Sequence, residues 1–331
     1  MTERLAALND WLSSEVGLAD FRIEPVSGDA SFRRYFRITT VGGQQWVAMD
    51  APPELENCHP FVELATQLLS LGLHVPGIHA QNIDRGFLLL EDLGTLHYLD
   101  ALDESTADRL YGDALGALAV VQACAPVAGL PVYDKALLLR EMGLFREWLL
   151  MRHLGVTLAD EQDRILDEAF DLLVDNALEQ PRVCVLRDFH SRNLMVSDAP
   201  NPGILDFQDA VHGPVTYDLV SLLKDCYIDW SSERVESWAL GYFRLAVQTG
   251  VLKNETEPRF LRWFDLMGVQ RHLKAAGIFA RLHVRDGKSG YLGDIPRTLG
   301  YILKLEKAYP ELEGLCCLVR ELTPARAPVR E

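Results

Sequence analysis

One stretch decides the fold of this chain: Val185-Leu186-Arg187-Asp188-Phe189-His190-Ser191-Arg192-Asn193-Leu194-Met195-Val196, with Ile204-Leu205-Asp206-Phe207-Gln208-Asp209 after a short turn. Asn193 follows Asp188 by five residues, on a loop that leads into a strand. This spacing lets the carboxylate of Asp188 face an incoming hydroxyl while the amide oxygen of Asn193 faces a cation, which Asp206 on the next strand can share. The segment therefore predicts phosphoryl transfer, with Asp188 catalytic and with Asn193 and Asp206 as ligands of Mg²⁺.

Strand patterns precede this stretch, and helical patterns lie on both sides of it. Residues 21–51 alternate in polarity and break into three strands at Ser27–Ser31 and at Gly42-Gly43. An amphipathic helix over 60–71 and a hairpin over 77–90 follow. Beyond these, Ser105 and Asp108 form a capping box before a helix that carries Leu110, Ala114, Leu118 and Val121. Apolar residues recur at helical spacing over the ranges 135–153, 160–178, 260–282 and 295–309, and from 217 onward. The pattern predicts an α+β protein with a small five-stranded antiparallel N-terminal lobe over 1–93 and a larger, mainly helical lobe over 94–331.

Composition excludes several classes of protein. The net charge of −16 repels a nucleic-acid backbone, and no cluster of Lys and Arg overcomes it locally. No segment has the roughly 20 consecutive apolar residues that cross a bilayer, and the first residues lack the apolar core of a signal peptide. The six cysteines form no C-x-x-C pair. We therefore expect a cytoplasmic monomer with free thiols, a small-molecule substrate, and neither nucleic acid nor membrane as a partner.

The deciding stretch resembles the protein kinase-like superfamily, whose catalytic loop is H-R-D-x-x-x-x-N and whose magnesium motif is D-F-G. Asp188, Asn193 and Asp206 match the three chemical positions of those motifs. Leu186 stands where the family has histidine, and Gln208 where it has the glycine of D-F-G. The resemblance implies a bilobal protein kinase-like fold, ATP as phosphoryl donor and Mg²⁺ as its companion.

The continuation resembles the aminoglycoside phosphotransferase branch of that superfamily. Gly213-Pro214 and Tyr217-Asp218-Leu219 follow the metal motif, and no A-P-E segment appears. In this branch the aspartate that matches Asp218 braces the catalytic loop; as an alternative, Asp218 is an ordinary acidic residue in the first turn of a helix. The resemblance also assigns phosphate binding to the loop Gly28, Asp29, Ala30 and Ser31, and adenine binding to the backbone between Glu91 and Leu93.

The third strand, Trp46-Val47-Ala48-Met49-Asp50, lacks the lysine that kinases keep there. Another cation must then meet the phosphates, and Arg33 and Arg34 are the nearest candidates; alternatively, both are solvated strand residues. Glu63 stands at the position of the lysine's usual glutamate partner, so its role is equally open.

Over both lobes the chain is similar to the anomeric amino-sugar kinases of cell-wall recycling, which phosphorylate the 1-hydroxyl of N-acetylmuramate and N-acetylglucosamine. The similarity rests on the runs 28–36, 49–53, 187–193 and 270–274. It implies a sugar acceptor, whose lactyl carboxylate in N-acetylmuramate favours a bidentate arginine. The residues that we expect to contact substrate or support the site are Arg187, His190, Arg192, Asp209, Asp218 and Arg271.

Two alternatives remain open at this point. A kinase for an aminoglycoside or a choline-like cation would need carboxylates around the acceptor, and acidic residues are plentiful. A non-catalytic ATP-binding scaffold is suggested by the missing lysine and the altered D-F-G motif.

Overall fold

A computed structural model describes residues 3–26, 32–198 and 200–323 of the chain. The chain forms two compact units. The first unit comprises Met1–Asp103 and Arg192–Asp209, and the second comprises Glu104–Ser191 and Ala210–Glu331. The lobe boundary between residues 93 and 94 stays a prediction.

The described residues contain nine strands and eleven α-helices, which we number in chain order. The bounds are α1 Glu3–Ser14, β1 Phe21–Pro25, β2 Arg34–Thr40, β3 Gln45–Asp50, α2 His59–Ser70, β4 Ile78–Asn82, β5 Phe87–Glu91, α3 Tyr98–Ala101, α4 Ala107–Cys124, α5 Lys135–Leu144, α6 Asp160–Leu178, β6 Arg182–Val185, β7 Leu194–Met195, β8 Gly203–Ile204, β9 Val211–Pro214, α7 Tyr217–Leu223, α8 Ser232–Gln248, α9 Glu257–Asp286, α10 Ile295–Lys304 and α11 Glu313–Leu322. A π-helix spans Phe145–His153, and short 3-10 helices span Ser289–Asp294 and Pro310–Leu312.

The first unit is built on the five-stranded antiparallel sheet that the sequence predicts, in the order β1-β2-β3-β5-β4. Phe36 and Ile38 of β2 are buried on one face, as their alternation predicts. They join a core cluster with Leu8, Trp11 and Leu12 of α1, so this helix covers that face of the sheet. The hairpin of β7 and β8, with Leu194 opposite Ile204, completes the unit.

The second unit is mainly helical and contains the two-stranded antiparallel sheet of β6 and β9. Its longest helix is α9, whose buried residues include the polar run from Gln270 to Lys274. A polar run of this kind inside a folded unit requires internal hydrogen-bond partners. Several residues of this run line the cavities described below.

Two helices differ in detail from the sequence prediction. α4 begins at Ala107 with Thr106 as its N-cap residue, one position after Ser105. The capping box of Ser105 and Asp108 stays a prediction. The predicted helix over 135–153 is α-helical only to Leu144 and continues as the π-helix. α9 approaches this junction so closely that a Cβ added to Gly277 would lie 2.3 Å from the carbonyl carbon of Leu144. Because a π-turn is wider than an α-turn, periodicity in the sequence did not reveal it.

Within the described part of the chain, no helix is both long and apolar enough to cross a membrane. The six cysteines are all free thiols, as predicted. Four of them are buried, and Cys124 and Cys317 are exposed.

Candidate active site

The hairpin of β7 and β8 brings Asn193 and Asp206 together in the first unit. Asn193 immediately precedes β7, and the backbone N–H of Leu205 donates to its carbonyl oxygen over 2.9 Å. The side-chain amide of Asn193 donates to Oδ2 of Asp206 over 3.4 Å. Asp206 has a φ of 57°, the left-handed conformation that turns its side chain out of the strand direction. The hairpin therefore presents a carboxylate beside an amide, as the spacing predicts.

These two side chains fit a divalent cation such as Mg²⁺. Carboxylate and amide oxygens are the hard ligands that Mg²⁺ prefers, and rotation of the Asn193 amide presents its oxygen where the nitrogen now lies. No group of three or more His, Cys, Asp and Glu residues that could hold a metal occurs among residues 3–26, 32–198 and 200–323. An ion here would therefore need further oxygens from phosphate and water, the usual arrangement for Mg²⁺ in kinases.

Gln208, which replaces the glycine of the kinase motif, acts on the same carboxylate. Its side-chain amide donates to Oδ1 of Asp206 over 2.6 Å, and the residue is buried. The departure from D-F-G thus supplies a hydrogen bond that glycine cannot make. Asp209, the next residue, is exposed.

The loop that carries Asp188 is held at its start by Asp218. The backbone N–H groups of Leu186 and Arg187 donate to the two carboxylate oxygens of Asp218 over 2.7 and 2.9 Å. Asp218 lies in the first turn of α7 and is fully buried, and burial raises its pKa to about 7 against the opposing effect of these two hydrogen bonds. Ser221 of the same helix donates to the carbonyl oxygen of Arg187 over 3.2 Å. This geometry suits the bracing interpretation of Asp218.

The other end of the loop is held by Asp225, which the sequence analysis missed. Oδ2 of Asp225 accepts from the backbone N–H of Ser191 over 2.9 Å and from its hydroxyl over 2.5 Å. Asp225 follows Asp218 by seven residues and lies just beyond the end of α7. No helical periodicity in the sequence marks it, because the chain has left the helix at that point. Two buried carboxylates thus fix the loop on both sides of Asp188.

Asp188 and His190 line a cavity of about 100 Å³ in the second unit. The ring of His190 meets the ring of Tyr227 edge-on at 5.6 Å between centroids. The other lining residues are Tyr217, Cys226, Tyr227, Arg271, Lys274, Ala275, Ile278 and Phe279. His190 and Asp188 therefore line the same cavity. The contact of His190 with substrate stays a prediction.

A second cavity of about 250 Å³ shares Lys274 and Ile278 with the first. Its lining contains Arg140, Glu141, Leu144, Arg187, Lys274, Ile278 and Arg281. Glu141 is buried and binds Arg187, the hydroxyl of Tyr133 and, over 3.1 Å, the ammonium of Lys274. Burial alone would raise the pKa of Glu141, but Lys274 and Arg187 outweigh it and hold the pKa below its ordinary value.

The three arginines proposed for substrate contact lie in different surroundings. Arg187 points at Glu141 and lines the second cavity, and its φ is 74°. Arg271 is buried against the sulfur of Cys226, 3.7 Å away, and lines the first cavity. Arg192 is exposed and belongs to the first unit.

The residues near the predicted phosphate loop form ion pairs within the first unit. The loop Gly28–Ser31 itself lies outside the described residues. Arg33 is buried and pairs with Glu56 over 3.1 Å. Arg34 and Arg4 both bind the buried carboxylate of Asp50, at the end of β3.

Asp50, on the strand that lacks a lysine, thus binds two guanidinium groups. The sequence analysis did not predict this feature. Arg34 is more exposed than Arg33 and contributes to this cluster rather than standing as a solvated strand residue. Glu63 of α2 is exposed.

The segment proposed to bind adenine is held by an arginine of β2. Arg37 of β2 donates to both carboxylate oxygens of Asp92, over 2.5 and 2.9 Å, and to the carbonyl oxygen of Gly94 over 2.9 Å. Its hydrogen bond to Asp92 raises the pKa of the guanidinium. Glu91 accepts from the N–H of Gly77 over 3.2 Å.

Leu93 lies over the β7–β8 hairpin of the same unit. A Cβ added to Gly203 would lie 3.0 Å from Cδ1 of Leu93 and 3.2 Å from Cβ of Met195. The absence of a side chain at Gly203 therefore lets Leu93 pack closely on the hairpin that carries Asn193.

One protein family model and two known kinases match most of this chain. The model of the phosphotransferase enzyme family matches residues 22–264. An N-acetylmuramate/N-acetylglucosamine kinase of Pseudomonas putida is 52% identical over 296 residues, which cover 89% of this chain and 87% of that relative. The kinase of the same name from Pseudomonas aeruginosa is 48% identical over 329 residues, 96% of this chain and 97% of that one.

Among solved structures, the GDP complex of wild-type aminoglycoside 2'-phosphotransferase-IIIa resembles this chain with a TM-score of 0.64 at 16% identity, over 90% of this chain and 98% of that one. At such low identity the likeness concerns the fold alone. It confirms the predicted kinase-like fold with its five-stranded sheet and mainly helical remainder.

Proposed function

Because this chain belongs to the phosphotransferase enzyme family, we propose that it transfers the γ-phosphoryl group of ATP to the anomeric hydroxyl of N-acetylmuramate and N-acetylglucosamine in peptidoglycan recycling. The observation that carries this proposal is the 48% identity to a kinase of that name over 96% of the chain. The motif residues Asp188, Asn193 and Asp206 support the proposal.

In this reaction Asp188 orients the 1-hydroxyl of the sugar and receives its proton while the new O–P bond forms. The bond between the γ-phosphorus and the oxygen that bridges to the β-phosphate breaks, and ADP leaves. Asp218 and Asp225 keep the loop rigid, so the carboxylate of Asp188 needs little reorganisation before it acts.

We propose that Asn193 and Asp206 hold Mg²⁺, which when bound neutralises charge on the phosphate oxygens. Gln208 keeps the Asp206 carboxylate oriented for that purpose. The loop Gly28–Ser31 covers the phosphates, Arg33 or Arg34 supplies the charge of the missing lysine, and the backbone from Glu91 to Leu93 binds adenine.

The charge of the two cavities argues against a cationic acceptor. Among their lining residues, Asp188 and Glu141 face five cationic side chains: Arg140, Arg187, Arg271, Lys274 and Arg281. Glu141 is already bound to two of these cations. An aminoglycoside or a choline-like acceptor would meet repulsion in such surroundings, whereas a neutral or acidic sugar would not.

A panel of acceptors with γ-labelled ATP tests the proposal. We expect label in N-acetylmuramate and N-acetylglucosamine and none in kanamycin or choline. Methyl glycosides and borohydride-reduced forms of the two sugars lack a free anomeric hydroxyl, so they should accept no label. Labelling of the methyl glycosides would move the reaction to another hydroxyl, and labelling of kanamycin alone would overturn the choice of acceptor.

The role of Asp188 is tested by Asp188→Asn. This variant keeps the shape of the side chain but cannot accept a proton, so we expect turnover to fall by about two to four orders of magnitude while ATP still binds in calorimetry. Asp171→Asn, on an exposed ion pair of α6, is the matched control. Unchanged turnover in Asp188→Asn would refute the role.

We further propose that the chain works in the cytoplasm as a monomer, without a nucleic-acid partner. The net charge of −16 supports the absence of a nucleic-acid partner, because it repels a polyphosphate backbone. Light scattering on the purified protein, with and without both substrates, measures the oligomeric state.

A further inference from the structure

The larger of the two cavities has more positive charge than its own residues neutralise. Arg140, Arg187, Lys274 and Arg281 line it with a single carboxylate, Glu141. Glu141 binds Arg187 and Lys274. Within the part of the chain that the structure describes, neither Arg140 nor Arg281 has a carboxylate within ion-pair distance. The cavity is therefore a site of uncompensated positive charge.

Two nitrogen atoms around this cavity also lack hydrogen-bond acceptors among the described residues. Nε of Arg187 and Nε of Arg281 are buried without an acceptor among the described residues. Burial lowers the pKa of the Arg281 guanidinium, with Arg285 as a second cause. Buried donors without acceptors cost free energy, which an anionic ligand with oxygen acceptors would recover.

The cations follow a stripe on α9 that connects the two cavities. Arg271, Lys274, Ile278 and Arg281 are spaced three, four and three residues apart, so they lie on one face of the helix. Arg271 lines the cavity of Asp188, Arg281 lines the cationic cavity, and Lys274 and Ile278 line both. A ligand beside Asp188 can therefore extend along this face into the cationic cavity.

We infer that the cationic cavity is the subsite for a carboxylate carried by the acceptor, with Arg281 and Arg140 as the residues that distinguish an acidic sugar from a neutral one. This inference rests on the proposed function. The lactyl carboxylate of N-acetylmuramate is the group that would enter the subsite. N-acetylglucosamine has no such group and leaves it empty.

Arg187 and Lys274 are less suited to this selectivity than Arg281. Both are already bound to Glu141, so their substitution would release a buried carboxylate and disturb the fold. Arg281 has no such partner, and its removal leaves the network around Glu141 in place. Arg281→Gln is therefore the informative variant, with Arg285→Gln one turn further on the same helix as its control, because Arg285 is exposed and pairs with Asp286.

Kinetics with two sugars test the subsite. We expect Arg281→Gln to lower kcat/KM for N-acetylmuramate by about 10- to 100-fold, the usual effect of losing a charge-assisted hydrogen bond, and to leave N-acetylglucosamine within about twofold of wild type. Adding Arg140→Gln should widen the difference between the sugars. Arg285→Gln should behave as wild type with both. Equal losses with both sugars in Arg281→Gln would overturn the inference.

A phosphate oxygen is the other anion that could occupy the cavity. In that case Arg281→Gln would raise the KM of ATP and leave the ratio between the two sugars unchanged, which also overturns the inference. Calorimetry separates the subsite from the proposed reaction, because it needs no turnover. Wild type should bind N-acetylmuramate about tenfold more tightly than its methyl ester, and the double variant with Arg281→Gln and Arg140→Gln should bind the two equally. If binding follows this pattern but neither sugar is phosphorylated, the subsite stands and the proposed function fails.

Discussion

Gly277→Ala is the change whose consequence follows most directly from the packing. Gly277 lies in α9 at the point where this helix meets the junction between α5 and the π-helix. An added Cβ would lie 2.3 Å from the carbonyl carbon of Leu144 and 2.5 Å from the backbone nitrogen of Phe145. Both neighbours are backbone atoms, so no side chain can rotate away. The helices must separate by about 1 Å to restore van der Waals contact.

Two opposing effects set the magnitude. Alanine is favoured over glycine inside a helix by about 0.5–1 kcal/mol. Overpacking of a tight contact costs about 1–3 kcal/mol, and here it falls at the upper end because backbone must move. We therefore expect the free energy of unfolding to fall by about 2 kcal/mol. Gly241→Ala is the control: Gly241 lies inside α8, and its added Cβ would meet no atom within 4 Å, so only the favourable helical term applies.

Urea denaturation measures the difference in stability between the two variants. It should be about 3 kcal/mol, the overpacking cost alone, because the helical preference of alanine applies to both. The same shift would move the face of α9 that lines both cavities, so kcat/KM for both sugars should fall by about tenfold or more in Gly277→Ala and stay at the wild-type value in Gly241→Ala. Equal stability of the two variants would show that α9 and the junction can separate freely, and would refute the role of this contact.

Three further substitutions test the loop that carries Asp188, the segment proposed to bind adenine, and the buried His272. Asp218→Asn keeps one acceptor oxygen for two backbone donors, so kcat should fall about 10- to 100-fold with little change in the KM of ATP, while the exposed Asp171→Asn leaves both constants unchanged. Arg37→Lys cannot bind Asp92 through two parallel hydrogen bonds, so the KM of ATP should rise about tenfold and those of the sugars should not. His272 is buried, and burial lowers its pKa to about 3. In the unfolded state this histidine takes up a proton from about pH 6.5 downward. The stability that neutral His272 contributes is therefore present above about pH 6.5 and is lost as the pH falls toward 3. The stability advantage of wild type over His272→Gln should therefore shrink by about 1.4 kcal/mol per pH unit between about pH 6 and pH 4 in urea denaturation, and an advantage that does not vary with pH would contradict this reading.

The sequence was sufficient where a local pattern determines structure. Alternation of apolar residues and the breaks at 27–31 and 42–43 predict the five-stranded sheet, which is observed. The spacing from Asn193 to Asp206 predicts that these two side chains meet, because a short hairpin returns the chain on itself. Helical periodicity gives α6 its observed bounds, Asp160–Leu178.

The sequence was insufficient where a contact joins distant segments. Arg37 reaches Asp92 across 55 positions, and no periodicity reveals this pairing. The ion pair of Arg187 with Glu141 spans 46 positions. Arginine serves in solvated, bracing and ligand-binding roles, so only the partner decides among them.

The charge around the proposed acceptor site does not follow from the net charge of the chain, but it does follow from the spacing of cations along α9. A net charge of −16 says nothing about a buried cavity, because charges at the surface are screened over roughly 10 Å, whereas charges removed from water interact much more strongly. The spacing of Arg271, Lys274 and Arg281 on α9 did carry the signal, since three cations on one face of a helix repel one another unless an anion lies among them. Among the described residues, Asp188 and Glu141 are the carboxylates that line the two cavities, and Glu141 reaches Lys274 but not Arg281. A helix that keeps such a charge beside a cavity, at a cost in folding stability, is best explained by a ligand that supplies the missing anion.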